Sequence, residues 1–458
     1  NQTGGYNTII GNESYSQTTG VVNFAYVTTL GGEAGRYATG SYNTFIGAEA
    51  GLGGTTSAPF SSGQNNTAMG YQALKAFTTA GDNVAIGYQA AESLTTGEHN
   101  VFVGKDAGTY STVSSRAVGV GYRALARYGL SSTVTGAPVA IGFEAGHYAT
   151  GSTNVFVGYE AGKGGTTSAP LSSGDQNVAI GYQALAGFTT GDANVAIGTN
   201  ALDSTTTKYY NTAVGHHAMK NATNTQQSVA IGSFALDNLG GAAAEAFVCI
   251  GHGAGGVIAS NGSNGTVAIG HSALAALSSA AGNVAIGSSA GVSVTSADNT
   301  LVGHLAGNGL ISGGENTIIG SDCDTASNDN NNNIIIGNNL TATDKDNAVF
   351  IGNDTNHIEN DFNADATWNY SSDVRQKTDI EDDTLGLDFI NKIRPVVYKH
   401  KSPSEFPEEW SAYDADDKEP MGGDKRIHGL IAQEVKEALD DVNIDSFGGW
   451  SEGDDGRQ

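Results

Sequence analysis

The sequence predicts an all-β fold: a long parallel β-solenoid (β-roll) of repeated short coils, assembled as a homotrimer and followed by a small α+β domain. Three observations predict it. The motif Asn-x-Ala-Ile-Gly, with close variants, returns twenty times between Gly11 and Gly352. Its commonest step is 17 residues, as from Gly181 to Gly198 to Gly215 to Gly232. The repetition then stops, and the last part of the chain takes on helical periodicity and a higher density of charge.

Each part of a coil has a physical reason. A run such as Val195-Ala196-Ile197 reads as a strand whose side chains alternate between faces, Val195 and Ile197 one way and the small Ala196 the other. Gly198 turns the chain where a side chain would obstruct. Asn200-Ala201-Leu202 adds a second small-residue stretch, and a polar, Thr-rich loop completes the coil. One unit cannot bury its apolar side alone, whereas stacked units pair their parallel strands coil on coil. At roughly 4.8 Å per strand, such a stack makes a rod on the order of 95 Å long. Longer steps mark inserted loops. A multi-coil echo, EAGLGGTTSAPFSSG from Glu49 and EAGKGGTTSAPLSSG from Glu160, points to duplication of a block.

The asparagine four places before the glycine recurs as well, at Asn83, Asn100, Asn154, Asn177, Asn194, Asn211, Asn283, Asn299, Asn316 and Asn333. This regularity favours a ladder of stacked side-chain amides over the simpler tolerance of Asn for turn conformations. Coils with Ala on one side and Val or Ile on the other carry apolar residues on both. One side fills the coil; the other needs a partner, and three rolls about an axis supply it.

Residues 1–353 resemble the head repeat of trimeric autotransporter adhesins, a left-handed parallel β-roll, and repeats common in predicted phage tail fibres. The resemblance rests on the N-x-A-I-G coil.

Composition narrows the function classes. Gly supplies 65 of 458 residues and Pro only 7, with no strict Gly-x-y period, which excludes collagen. Recurrent aromatic and β-branched residues argue against simple disorder. A net charge of −26 excludes nucleic acid as a partner and suits a soluble extracellular object. No apolar run is long enough to cross a bilayer, so no membrane insertion is expected in these residues. Asn1 falls inside a repeat, so the sequence is expected to be a piece of a longer chain. Cys249 and Cys323 lack metal-type spacing and make no disulfide framework.

No cofactor and no metal are expected. His216, His252, His271 and His304 each follow a motif glycine and read as surface histidines rather than a metal-binding ladder. The Asp/Asn-rich run 321–333 lacks the spaced acidic pattern of a calcium loop. The Gly-rich stretch 51–54 lacks the Lys-Ser/Thr of a phosphate-binding loop. Paired carboxylates are plentiful in so acidic a chain and indicate no glycosidase by themselves.

Residues 354–371 are polar and acidic and read as a linker or neck before a final domain, 372–458. Leu385 to Ile393 has helical apolar spacing ended by Pro395, Val396 to Tyr398 reads as a strand, and Leu430 to Leu439 is again helical. Three motifs stand in order here: Ser372-Asp373-x-Arg375-x-Lys377-x-Asp379-Ile380, Ile393-x-Pro395-x-x-Tyr398, and His428-Gly429-Leu430-Ile431-Ala432-Gln433-Glu434-Val435. They resemble the chaperone-of-endosialidase domain found at the C-termini of phage tail spikes and fibres, with the C-terminal helices of that domain incomplete.

The resemblance implies an intramolecular chaperone that brings three chains into register and is then released by autoproteolysis. The cut falls between Ser371 and Ser372. Ser372 supplies the nucleophilic hydroxyl and Lys377 the general base, with Asp373, Arg375, His428 and Gln433 in support. A Ser–Lys pair needs a neutral lysine, and burial or a nearby cation such as Arg375 lowers its pKa. The first motif alone equally allows a turn-capping Ser372 and a solvated Lys377. The expected enzyme activity is this single-turnover cleavage, with no external substrate.

These readings converge on a trimeric fibre of a phage tail, on the virion, that attaches to a host-surface receptor, either a glycan or an outer-membrane component. The inserted loops 55–62, 131–138, 166–173 and 239–246 are the expected contacts. A bacterial surface adhesin with the same chaperone is the alternative, and a glycan-depolymerising tailspike the second.

Overall fold

A computed structural model describes residues 5–16, 24–55, 60–130, 136–165, 171–239, 244–258, 265–277, 281–363, 387–407, 415–416, 418 and 426–441. The chain divides into two compact units, residues 1–368 and 369–458.

The first unit is a parallel β-solenoid. The run before each motif glycine is a strand, most of them three residues long, as in Val178–Ile180 and Val195–Ile197. Consecutive strands pair in parallel and in register, Val178 with Val195, Ala179 with Ala196, Ile180 with Ile197. The resulting sheet has 21 strands, and all but the last run parallel. The turn side of the coil is tied the same way: the Leu185, Gly187 and Thr189 amides donate to the Ala201, Asp203 and Thr206 carbonyls of the following coil. Nearly every backbone group of a coil therefore meets its neighbour, which explains how such short strands persist.

Two side-chain features lock the register. Gly181 has φ +135°, a conformation open to glycine, and a Cβ there would stand 2.6 Å from the Gly198 carbonyl oxygen. The asparagines form the ladder expected from their spacing. Asn177 Oδ1 accepts from the backbone N–H and from Nδ2 of Asn194, at 3.0 and 3.1 Å, while Asn194 Nδ2 also donates to the Lys208 carbonyl at 2.9 Å. Asn194 Oδ1 passes the pattern on to the Asn211 amide. Both amides are fully buried, and satisfied hydrogen bonds remove the cost of that burial.

The structure decides which side of the strand faces inward. The central residue of each strand enters the coil: Ala179, Ala196, Phe102 and Phe156 are fully buried. The flanking residues face out, and Ile180, Ile197 and Ile286 are 38, 36 and 40 % exposed. The interior is narrow, and in several coils the strand centre and the position four past the motif glycine share one space. Where the strand centre is Ala179, the residue four places past the motif glycine is Leu185; where it is Phe102, that residue is Gly108. A Cβ on Gly108 would lie 2.6 Å from the Phe102 ring. The interior is one continuous apolar cluster from Tyr15 to Phe350. The Thr-rich segment contributes buried polar groups that bond coil to coil, as when Thr205 Oγ1 donates to the Ala222 carbonyl at 2.7 Å.

After Asn353 the chain reverses. His357–Asp361, within the stretch read from sequence as a linker, is a strand that pairs antiparallel with Ala348–Asn353. It covers the edge that the last parallel strand would otherwise leave open.

The second unit is small and α+β. Val396–Tyr398 pairs antiparallel with Ile427–Gly429, and Ala432–Asp440 is a helix. The helix expected over 385–393 reduces, within the described residues, to one turn, Leu387–Ile390. Residues 391–393 leave the helix in a turn that leads into Pro395, whose ring disfavours helical conformation at the residue before it.

Candidate functional site

The C-terminal unit is organised by the residues of its second and third motifs. Val397 pairs with His428 across the two-stranded sheet, and Tyr398 pairs with Ile427. Gly429 leaves room for the ring of Tyr398: a Cβ there would stand 3.2 Å from its Cε1. The Tyr of one motif and the Gly of the next are thus two halves of one contact. The helix that follows buries Val435, Ala438 and Leu439 against Phe389, with Ile393 beside them. This is the stripe that residues three and four apart present on a helix.

Ion pairs fix the helix to the segment before the first strand. Arg394 donates through two nitrogens to Glu434, with Nη2 to Oε1 at 2.5 Å and Nε to Oε2 at 3.3 Å. This bidentate bond holds the Glu434 carboxyl below its ordinary pKa. Lys392 Nζ reaches Asp441 at the far end of the helix, at 3.0 Å. Both pairs escaped the sequence reading, because opposite charges some forty residues apart carry no periodic signal.

Of the predicted cleavage residues, Ser371, Ser372, Asp373, Arg375 and Lys377 lie outside the described residues. His428 and Gln433 are described and exposed, His428 on the second strand and Gln433 in the first turn of the helix. The structure puts them on neighbouring elements that the Tyr398–Gly429 contact and the Arg394–Glu434 pair hold in place.

The solenoid carries the other candidate surfaces. The centres of the inserted loops, residues 56–59, 131–135, 166–170 and 240–243, lie outside the described residues. Their flanks return to the coil: Ser61 bridges to Ala38, Ser172 to Ala149, and Ala244–Glu245 pairs with Thr225–Gln226. His252 and His271 stack on successive coils at 5.3 Å between ring centroids. Among the described residues, no group of three or more His, Cys, Asp or Glu side chains is placed to hold a metal ion, and no helix is long and apolar enough to cross a membrane. Asp324, in the Asp/Asn-rich run, accepts from the Gly309 and Thr325 amides, and burial raises its pKa. That carboxylate serves the fold.

Residues 372–444 match the family model described as chaperone of endosialidase. No curated protein and no solved structure matches. The chain therefore joins a long parallel β-solenoid to a C-terminal chaperone-of-endosialidase domain.

Proposed function

We propose that this chain belongs to a homotrimeric phage tail fibre that attaches the virion to a host-surface receptor. Its C-terminal domain aligns three chains and is then released by cleavage between Ser371 and Ser372. The observation that carries the reading is the outward column just before the motif glycines. It is apolar in every coil, from Ile10 through Ile180 and Ile197 to Ile351, and exposed throughout much of its length. Burying the exposed two-fifths of one isoleucine yields roughly 1 kcal/mol. Summed over the coils, this exceeds the cost of bringing three chains together.

The same repetition explains the need for a chaperone. Val178–Ile180 and Val195–Ile197 are interchangeable partners, so a slip by one whole coil preserves nearly every contact. Register must then be imposed from one end, and a C-terminus already trimerised does so while raising the local concentration of the other two chains. Ser372 as nucleophile and Lys377 as base account for release, after which the finished trimer is kinetically trapped.

The test is the mass of the chain on a denaturing gel. Wild type is expected to shorten by the domain from residue 372 onward, and Ser372→Ala to remain full length. A shortened Ser372→Ala chain contradicts the assignment of the nucleophile.

A further inference from the structure

The column just after the motif glycines behaves unlike the isoleucine column two residues before it. Its tyrosines and phenylalanine fall in a block of successive coils, Tyr71, Tyr88, Tyr122, Phe143, Tyr159 and Tyr182, with Lys105 among them. Later coils carry only polar side chains or imidazoles at the same place, Thr199, His216, Ser233, His252, His271, Ser288, His304 and Ser321. A column buried along a continuous interface between copies would stay apolar throughout, as the isoleucine column does. The aromatic block is therefore a local feature, added to the scaffold rather than required by it.

Its geometry is regular. Ring centroids stand 5.4 Å apart between Tyr71 and Tyr88, 5.0 Å between Tyr122 and Phe143, 4.9 Å between Phe143 and Tyr159, and 5.1 Å between Tyr159 and Tyr182. Lys105 fills the one gap, its ammonium 5.5 and 5.8 Å from the rings of Tyr88 and Tyr122. Although stacked on their neighbours, Tyr71, Tyr88, Tyr159 and Tyr182 remain 42–47 % exposed. The rings stack face to face and so present their edges and hydroxyls outward. Beside them runs a column of amides and carboxylates that bond to one another, as Gln89 Nε2 does to Gln72 Oε1 at 2.8 Å and Gln183 Nε2 to Glu160 Oε2 at 2.7 Å.

We propose that this strip binds a linear, uncharged polysaccharide lying along the solenoid axis, one sugar unit per coil. Three observations select that ligand. The strip repeats at the coil spacing, close to the length of one pyranose unit in an extended chain. It offers edges and hydroxyls, each Tyr combining an apolar body with a polar tip. Its charges are balanced, with Arg123 between Asp106 and Glu144 at 3.7 and 3.6 Å, on a chain whose net charge of −26 repels polyanions. The inference deepens the attachment reading and rests on it for its purpose, though not for its chemistry.

The test is calorimetric binding of the full chain to cellohexaose and chitohexaose, with a heparin hexasaccharide as the anionic comparison. The strip predicts saturable binding of at least one neutral ligand and none of heparin. Tyr122→Ser with Tyr159→Ser should weaken it by about tenfold or more (~1.4 kcal/mol). Serine is the natural residue at this place in later coils, so melting temperature and oligomeric state should hold. Binding of neither neutral ligand, unchanged affinity in the double variant, or preferential heparin binding overturns the proposal. A double variant that falls to monomers overturns it too, by making the strip an interface between copies. A wild-type trimer that adsorbs to cells yet ignores both sugars sinks the strip and leaves the fibre reading standing.

Discussion

Phe102 and Gly108 occupy one space in the coil interior, and that exclusivity has a measurable consequence. Phe102→Ala removes a fully buried ring and costs about 3–5 kcal/mol if the coil does not collapse. Gly108→Leu drives a side chain into that ring, since even its Cβ would stand 2.6 Å away, and overpacking of this kind costs about 1–3 kcal/mol. Backbone conformation is no obstacle. Gly108 has φ +61°, and Leu125 and Leu185 hold the same place in their coils at φ +49° and +52°. The double variant turns this coil into the Ala179–Leu185 type, so the two losses should largely cancel. A residue of about 1 kcal/mol remains, because Gly119 of the next coil also stands against the Phe102 ring, its ideal Cβ 2.9 Å away. The expected coupling is about 3 kcal/mol or more, where independent sites add to within about 0.5 kcal/mol. Stacked repeats need not unfold in one step. The assay is therefore denaturant-dependent amide exchange across residues 101–125, alongside thermal melts. Additive losses in the double variant would refute the shared-space reasoning.

Further consequences follow from the ladder and from one buried histidine. Asn194→Ala leaves the Asn211 amide and the Lys208 carbonyl without their partner, at about 1–3 kcal/mol per orphaned group; amide exchange should rise first at Asn211, and unchanged protection would discount the ladder. Asn194→Asp should be worse, because a carboxylate would face the Asn177 oxygen and the Lys208 carbonyl, both acceptors. His147 is buried against Tyr148, and desolvation pulls its pKa below the ordinary 6.5 although Glu144 opposes the shift. The neutral ring is thus the form that the fold favours. Its contribution is full above the unfolded pKa and is lost as pH falls below about 6.5. Melting temperature should drop over that range in wild type and stay flatter in His147→Phe; parallel pH profiles would contradict this.

Much of the solenoid could be read from residues alone, because its strongest constraints are local and repeat. The motif glycine is demanded twice, by its φ and by the carbonyl of the next coil. The Asn ladder announces itself by spacing. Facing was harder to read: Val195-Ala196-Ile197 alternates, yet nothing in three residues says that the smaller one goes inside. The narrow bore decides that, and the bore becomes visible only when Phe102 is set against Gly108 and Ala179 against Leu185. The polar segment 204–207 looked like surface, yet Thr205 within it is buried, its hydroxyl satisfied by the Ala222 carbonyl of the following coil. The strand His357–Asp361 carries little apolar patterning because its backbone, rather than its side chains, closes the sheet edge. At the C-terminal domain, the motifs located Tyr398 and Gly429 but not their contact, and the Arg394–Glu434 pair joins positions with no sequence relation.

The most direct test is the molar mass of the purified chain in solution, by light scattering coupled to size exclusion. A mass of three chains is predicted, with Ile180→Asp and Ile197→Asp together shifting the population toward single chains while circular dichroism keeps its β signature. A stable, well-folded monomer of the unaltered chain would contradict it, since the isoleucine column would then stand permanently in water.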